Sequence, residues 1–217
     1  MVNAGSDEIS AFQVTRDQLV LRDIVPSGGD RPVSVTVHGD VLYVLNAGDA
    51  NATPATASNI TGFTLDEGRL TPLAGSTRAL SVASANPAQV GFSPDGSTLV
   101  VTERATQQLT SFPVDVQGVA GDPVFTPSSG MTPFGFEFAD DDTLVVAEAF
   151  GGAAGASAAS SYRLEDGVPV LVSGSVPTLQ TSACWLAIDE GRTHAYTANT
   201  AGDSITGFHL AADGTLT

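Results

Sequence analysis

The sequence predicts an all-β fold, a β-propeller of four-stranded antiparallel blades with about four to five blades present. Three observations predict it. Short apolar runs end in Asn or Glu at recurring intervals, tight Gly- or Asp-bearing turns precede those runs, and a strand closing on an aromatic follows each of them. Periods of this size are the signature of stacked repeats.

The recurring runs are Val41–Asn46, Thr98–Glu103, Thr143–Glu148 and His194–Asn199, whose last residues lie 57, 45 and 51 positions apart. Each reads as the second strand of a blade. The third strands follow as Glu8–Phe12, Asn59–Phe63, Gln108–Phe112 and Ser204–Phe208, with a degenerate copy at Ala159–Tyr162. Apolar, small and aromatic residues alternate within them at the period of two that a half-buried strand requires.

Hairpin turns join first to second strands at His38-Gly39-Asp40, Ser93-Pro94-Asp95-Gly96, Ala139-Asp140-Asp141-Asp142 and Asp189-Glu190-Gly191. Pro presets φ there and Gly tolerates positive φ. Fourth strands follow short polar turns, as at Asp66-Glu67-Gly68. The predicted division is one propeller domain over 1–217, with a partial blade at 1–27, blades at 28–80, 81–130 and 131–182, and a partial blade at 183–217. Long loops are expected on one rim at Gly48–Ser58 and Gly151–Ala159, and no helix is expected.

Both ends carry a third strand, so they do not merge into one four-stranded blade. An incomplete or open ring is expected. It would be a piece of a larger, seven-bladed protein, or it would pair with another copy as a homo-oligomer through its open edges.

Composition narrows the partners. The formal charge is -16, from 24 acidic and 8 basic residues, and every basic residue is Arg. Such a field repels phosphate backbones and anionic membrane surfaces, which excludes nucleic acid as a partner. No run approaches the roughly 18 apolar residues of a membrane span. The first residues lack the order of a secretory leader, while the acidity suits a secreted or periplasmic setting over the cytoplasm. The single cysteine, Cys184, rules out an internal disulfide and lies in an apolar run that reads as core.

The patterns Phe92-Ser93-Pro94-Asp95-Gly96-Ser97-Thr98-Leu99-Val100-Val101-Thr102-Glu103 and Leu42-Tyr43-Val44-Leu45-Asn46 resemble the lactonase-type seven-bladed propellers. This is the 6-phosphogluconolactonase-like family, related to the YVTN-repeat proteins, and the resemblance covers essentially the whole chain. It implies hydrolysis of a small sugar or organic-acid lactone in the central channel without metal or cofactor, by His, Arg and Glu near the blade entries. The entries here are Gly29-Asp30-Arg31-Pro32, Ser84-Ala85-Asn86-Pro87, Gly130-Met131-Thr132-Pro133 and Ser182-Ala183-Cys184-Trp185, and none carries an Arg-His pair.

Opening a lactone needs a base for water and donors for the developing oxyanion. Arg31, Glu103, Arg104 and Glu148 are the candidate catalytic residues. The competing reading is that Glu103 and Glu148, with Asn3, Asn46 and Asn199 at the same repeat position, only hold the backbone of the following turn. His38, His194 and His209 sit at unlike places in their blades, so no metal site is expected. Asp140-Asp141-Asp142 fills a hairpin turn rather than a calcium loop. The alternative function is a non-catalytic propeller that binds a protein or glycan through its rim loops.

Overall fold

The structure is a computed structural model, which describes residues 1–52 and 55–217. Residues 53 and 54, within the loop expected at Gly48–Ser58, lie outside the described residues. Among the described residues, nineteen strands form five antiparallel sheets in chain order. The first sheet holds β1 (Val2–Asn3), β2 (Glu8–Val14) and β3 (Leu19–Pro26). The second holds β4 (Pro32–His38), β5 (Val41–Asn46), β6 (Asn59–Asp66) and β7 (Arg69–Pro72), with β8 (Arg78–Ala79) also paired to β6.

The third sheet runs β9 (Pro87–Phe92), β10 (Thr98–Glu103), β11 (Gln108–Pro113) and β12 (Val124–Pro127). The fourth runs β13 (Pro133–Phe138), β14 (Thr143–Glu148), β15 (Ala158–Glu165) and β16 (Val168–Pro177). The fifth has β17 (Ala183–Ile188), β18 (His194–Asn199) and β19 (Ser204–His209). Each sheet is one blade, its strands meandering from one edge to the other. The degenerate third strand at Ala159–Tyr162 is part of a full strand, β15, and the loop before it opens with one 3-10 turn at Phe150–Gly152.

Local chemistry accounts for the hairpins. Glu67 and Gly68 have φ of 46° and 86°, and Asp166 and Gly167 have 50° and 77°. These are the two left-handed residues of a type I′ turn, whose twist matches the strands it joins. In the acidic turns, Asp189 Oδ1 accepts the Thr193 and His194 amides, both at 2.8 Å, and Asp140 Oδ1 accepts those of Asp142 at 3.0 Å and Thr143 at 2.5 Å. The acidic triplet at 140–142 therefore closes a hairpin by turning one carboxylate onto its own backbone.

The core lies between blades. Tyr43, Leu45 and Ile60 of the second blade pack with Val90, Leu99, Val101 and Phe112 of the third, and Val100 and Leu109 pack with Phe136, Leu144, Val146 and Tyr162 of the fourth. Val145 and Ala159 then pack with Ala195, Phe208 and Leu210 of the fifth. One face of every blade thus serves the next blade. Hydrogen bonds add register, since Tyr43 Oη accepts the Ala120 amide at 2.7 Å and donates to the Gly118 carbonyl at 2.9 Å. Gln89 clamps the next inner strand, donating to the Phe136 carbonyl at 2.9 Å and accepting its amide at 3.0 Å.

Candidate site at the blade entries

Each inner strand is entered through a residue in the left-handed region: Arg31 at φ 55°, Asn86 at 50°, Thr132 at 59° and Ser182 at 58°. This conformation costs a non-glycine residue about 1–2 kcal/mol. It persists because each entry carbonyl takes an amide from the loop that follows the second strand of its own blade. The Ala47 amide donates to Arg31 O at 3.0 Å, Arg104 N to Asn86 O at 3.3 Å, Ala149 N to Thr132 O at 3.0 Å and Thr200 N to Ser182 O at 2.9 Å. Entry segments and second-to-third-strand loops are thereby stitched together on one rim.

The repeated polar ends of the second strands complete this frame. Asn3 donates to Ser10 Oγ at 2.7 Å, Asn46 to Asn59 Oδ1 at 3.0 Å and Asn199 to Thr206 Oγ1 at 2.9 Å. Glu103 accepts from Thr110 at 2.5 Å, and Glu148 from Ser160 at 2.6 Å. The partners are side chains of the third strand, not only backbone of the following turn. Several of these groups also hold the preceding entry segment. Asn46 donates to Ser27 O at 3.3 Å, the Ser81 amide donates to Glu103 at 3.2 Å and the Gly130 amide to Glu148 at 2.8 Å.

Glu103 and Glu148, two of the candidate catalytic residues, are wholly buried, each at 0% exposure. Thr106 and the Ser81 hydroxyl also donate to Glu103, and Ser175 donates to Glu148. Burial pushes the Glu148 carboxyl above its usual range, against the opposing pull of the Ser160, Ser175 and Gly130 donors. These carboxylates pin strands and entries together, in the same role as the amides of Asn3, Asn46 and Asn199.

The two arginines lie elsewhere. Arg31 lines a cleft of about 120 Å³ with Ala47, Gly48, Ala50, Ala83, Ser84 and Asn86, between the second and third blades. Arg104 is half-buried beside it. Its Nη2 donates to Asn86 Oδ1 at 2.7 Å and its Nε to Asn86 O at 3.1 Å, while the guanidinium stands 4.8 Å over the Phe134 ring. Burial lowers the Arg104 pKa, and the nearby Cys184 sulfur works against that shift. Among the described residues, the sole ion pair is His194 with Asp189 at 3.8 Å. Among the described residues neither the Arg31 nor the Arg104 guanidinium is ion-paired, although the Arg31 amide donates to Asp7 Oδ1 at 2.7 Å, in a chain of formal charge -16.

Sequence reading missed Asn86, which accepts from Arg104 and lines the cleft with Arg31, and Asp30, whose Oδ2 accepts the Thr56 hydroxyl at 2.5 Å beside Arg31. A polar residue before Pro at three of the four entries was the available signal for Asn86. Cys184 is half-buried on an inner strand rather than in the core, and Trp185 next to it is 54% exposed. Among the described residues no three His, Cys, Asp or Glu side chains gather as a metal site, and no helix is long and apolar enough to cross a membrane.

Solved structures share this architecture at low identity. A functionally unknown protein from Desulfotomaculum acetoxidans matches with a TM-score of 0.76 at 14% identity, over 97% of this chain and 62% of that one. A Bacteroides uniformis protein provisionally named a 6-phosphogluconolactonase gives 0.72 at 18%, over 97% and 63%. The periplasmic gluconolactonase of Pseudomonas aeruginosa gives 0.71 at 16%, over 95% and 61%. The chain therefore spans about three fifths of the length of these structures. No curated protein matches it. The family model described as a lactonase, 7-bladed beta-propeller, matches residues 1–149, more than half of the chain, and the chain belongs to that family.

Proposed function

We propose that the rim formed by the blade entries binds and hydrolyses a small lactone. The observation that carries this reading is that Arg31 and Asn86 line one cleft while Arg104 is held on Asn86 beside it, and that among the described residues neither guanidinium is ion-paired with a carboxylate. Arg104 is drawn partly out of water and a ligand that supplies a counter-charge offsets that cost, whereas Arg31 is exposed and free to meet a ligand at the cleft. The oxyanion that develops as water attacks a lactone carbonyl is such a charge.

In this reading Asp30 takes the proton of the attacking water as its oxygen bonds to the carbonyl carbon. The ring C–O bond then breaks, and the departing alkoxide recovers that proton from Asp30, leaving the hydroxy acid. Arg31 and Arg104 carry the negative charge in between. Glu103 and Glu148 act as positioning residues that hold the entry segments from beneath. Membership of the lactonase family and structural likeness to a gluconolactonase support the substrate class.

The test is a pH-stat assay of the chain on glucono-1,5-lactone, corrected for spontaneous opening. Activity above that background should fall about 100-fold in Arg104→Ala, the range seen when one oxyanion donor is removed. Hydrolysis indistinguishable from background in the parent chain would reject the reading.

A further inference from the structure

Along β18 of the fifth blade burial alternates strictly, with Ala195, Thr197 and Asn199 buried and His194, Tyr196 and Ala198 exposed on the opposite face. The ladder to β19 sets His194 directly opposite His209. These histidines were expected at unlike places, one opening a strand and the other following the Phe208 anchor. In an antiparallel hairpin the start of one strand and the end of the next are the same place, so the two imidazoles meet.

The pair is of the closely spaced kind. Opposed residues that exchange no hydrogen bonds with each other hold their side chains nearer together. His194 turns both backbone groups the other way, its amide donating to Asp189 Oδ1 at 2.8 Å and its carbonyl accepting the Asp189 amide at 3.0 Å. His209 exchanges its two bonds with Thr217, at 2.8 and 3.0 Å. Both side chains thus stem from pinned backbone, with ring centroids 5.7 Å apart and planes at 84°.

Hydrogen bonding also sets the tautomer of His194. The Thr193 hydroxyl has one proton, which it donates to Asp189 Oδ2 at 3.2 Å. Its oxygen therefore accepts from His194 Nδ1–H at 3.0 Å, which leaves the lone pair on Nε2. Asp189 Oδ2 itself lies 3.8 Å from Nδ1. A carboxylate behind one ring nitrogen is the arrangement that orients an imidazole toward a metal and raises its basicity. Tyr196 stacks beside the ring, with centroids 6.3 Å apart and planes at 27°.

We propose that His194 and His209 together bind a divalent transition metal of the zinc class, each giving one ring nitrogen at about 2.0–2.1 Å, with water filling the remaining positions. Imidazoles select such an ion over calcium and magnesium, which take oxygen ligands. The formal charge of -16 draws any cation toward the surface, so what the pair adds is selectivity. The site stands apart from the cleft at Arg31 and does not depend on the lactone reading.

The test is calorimetric titration of the full chain with zinc chloride, in excess magnesium chloride to occupy the carboxylates. One saturable site per chain is expected, with Kd rising about 100-fold in His209→Ala and about tenfold in Asp189→Asn, and unchanged in His38→Ala. Thermal transitions confirm that each variant is folded. In the parent chain, which needs no variant, zinc should shift the imidazole ring resonances of His194 and His209 and leave those of His38 in place. No saturable site, an unchanged Kd in folded His209→Ala, or equal shifts at all three histidines would overturn the proposal.

Discussion

Glu103 accepts the hydroxyl proton of Thr110 at 2.5 Å across the second and third strands of its blade, with both side chains fully buried. The same carboxylate accepts the Ser81 amide at 3.2 Å, so one side chain ties two strands to the segment that enters the blade. Glu103→Ala leaves these buried donors without an acceptor. Urea unfolding should show a loss of about 3 kcal/mol, at about 1–3 kcal/mol for a buried group left unpaired. Thr110→Val should cost less, because the remaining donors keep their partner.

Glu148 carries a pH dependence that Asn46 and Asn199 do not. Burial raises its pKa above the ordinary range of a glutamate carboxyl, so the fold favours the neutral carboxyl over the carboxylate. Its contribution to stability is complete below the unfolded value and is lost as pH rises through the folded one. Glu148→Gln keeps an acceptor for Gly130 and Ser160 while removing the ionisation. The stability difference, variant minus parent, should therefore grow in favour of Gln as pH rises from about 4.5 toward neutrality. A flat difference across that window would contradict the assignment.

Tyr43 Oη links the second blade to the outer segment at Gly118 and Ala120, next to a second link from Arg78 Nε to the Gly121 carbonyl at 3.0 Å. Tyr43→Phe leaves a buried amide and a buried carbonyl unpaired with little change in packing. A loss of about 1–3 kcal/mol is expected in chemical unfolding, together with faster amide exchange at Ala120.

The fold was legible because each blade repeats its turn chemistry and strand period in the sequence. Asn3, Asn46, Glu103, Glu148 and Asn199 stood out together as one position, which is itself the mark of a structural role. Their partners were harder to see. Ser10, Thr110 and Thr206 lie seven residues on, but loop insertions move the partner to Ser160 in the fourth blade and to Asn59 in the second.

Glu103 and Arg104 are neighbours in sequence and part company in space. The carboxylate turns inward to Thr110, and the guanidinium turns onto Asn86 and Phe134. Cys184, next to Trp185, read as core because it sits in an apolar run. The bulge between Ala183 and Trp185 shifts the register there, and the inner strand leaves the indole more than half exposed. Contacts between blades were beyond sequence patterning, since they join residues as far apart as Tyr43 and Ala120.

The most direct test of the account compares lactone hydrolysis in Arg104→Gln and Glu103→Gln, each shown to be folded by its thermal transition. The account predicts that Arg104→Gln loses about 100-fold in kcat/KM. Glu103→Gln, which keeps an acceptor for the Ser81 amide and Thr110, should stay within a few-fold of the parent. The reverse pattern, with activity intact in Arg104→Gln and abolished in Glu103→Gln, would contradict it by making the buried carboxylate part of the chemistry rather than of the frame.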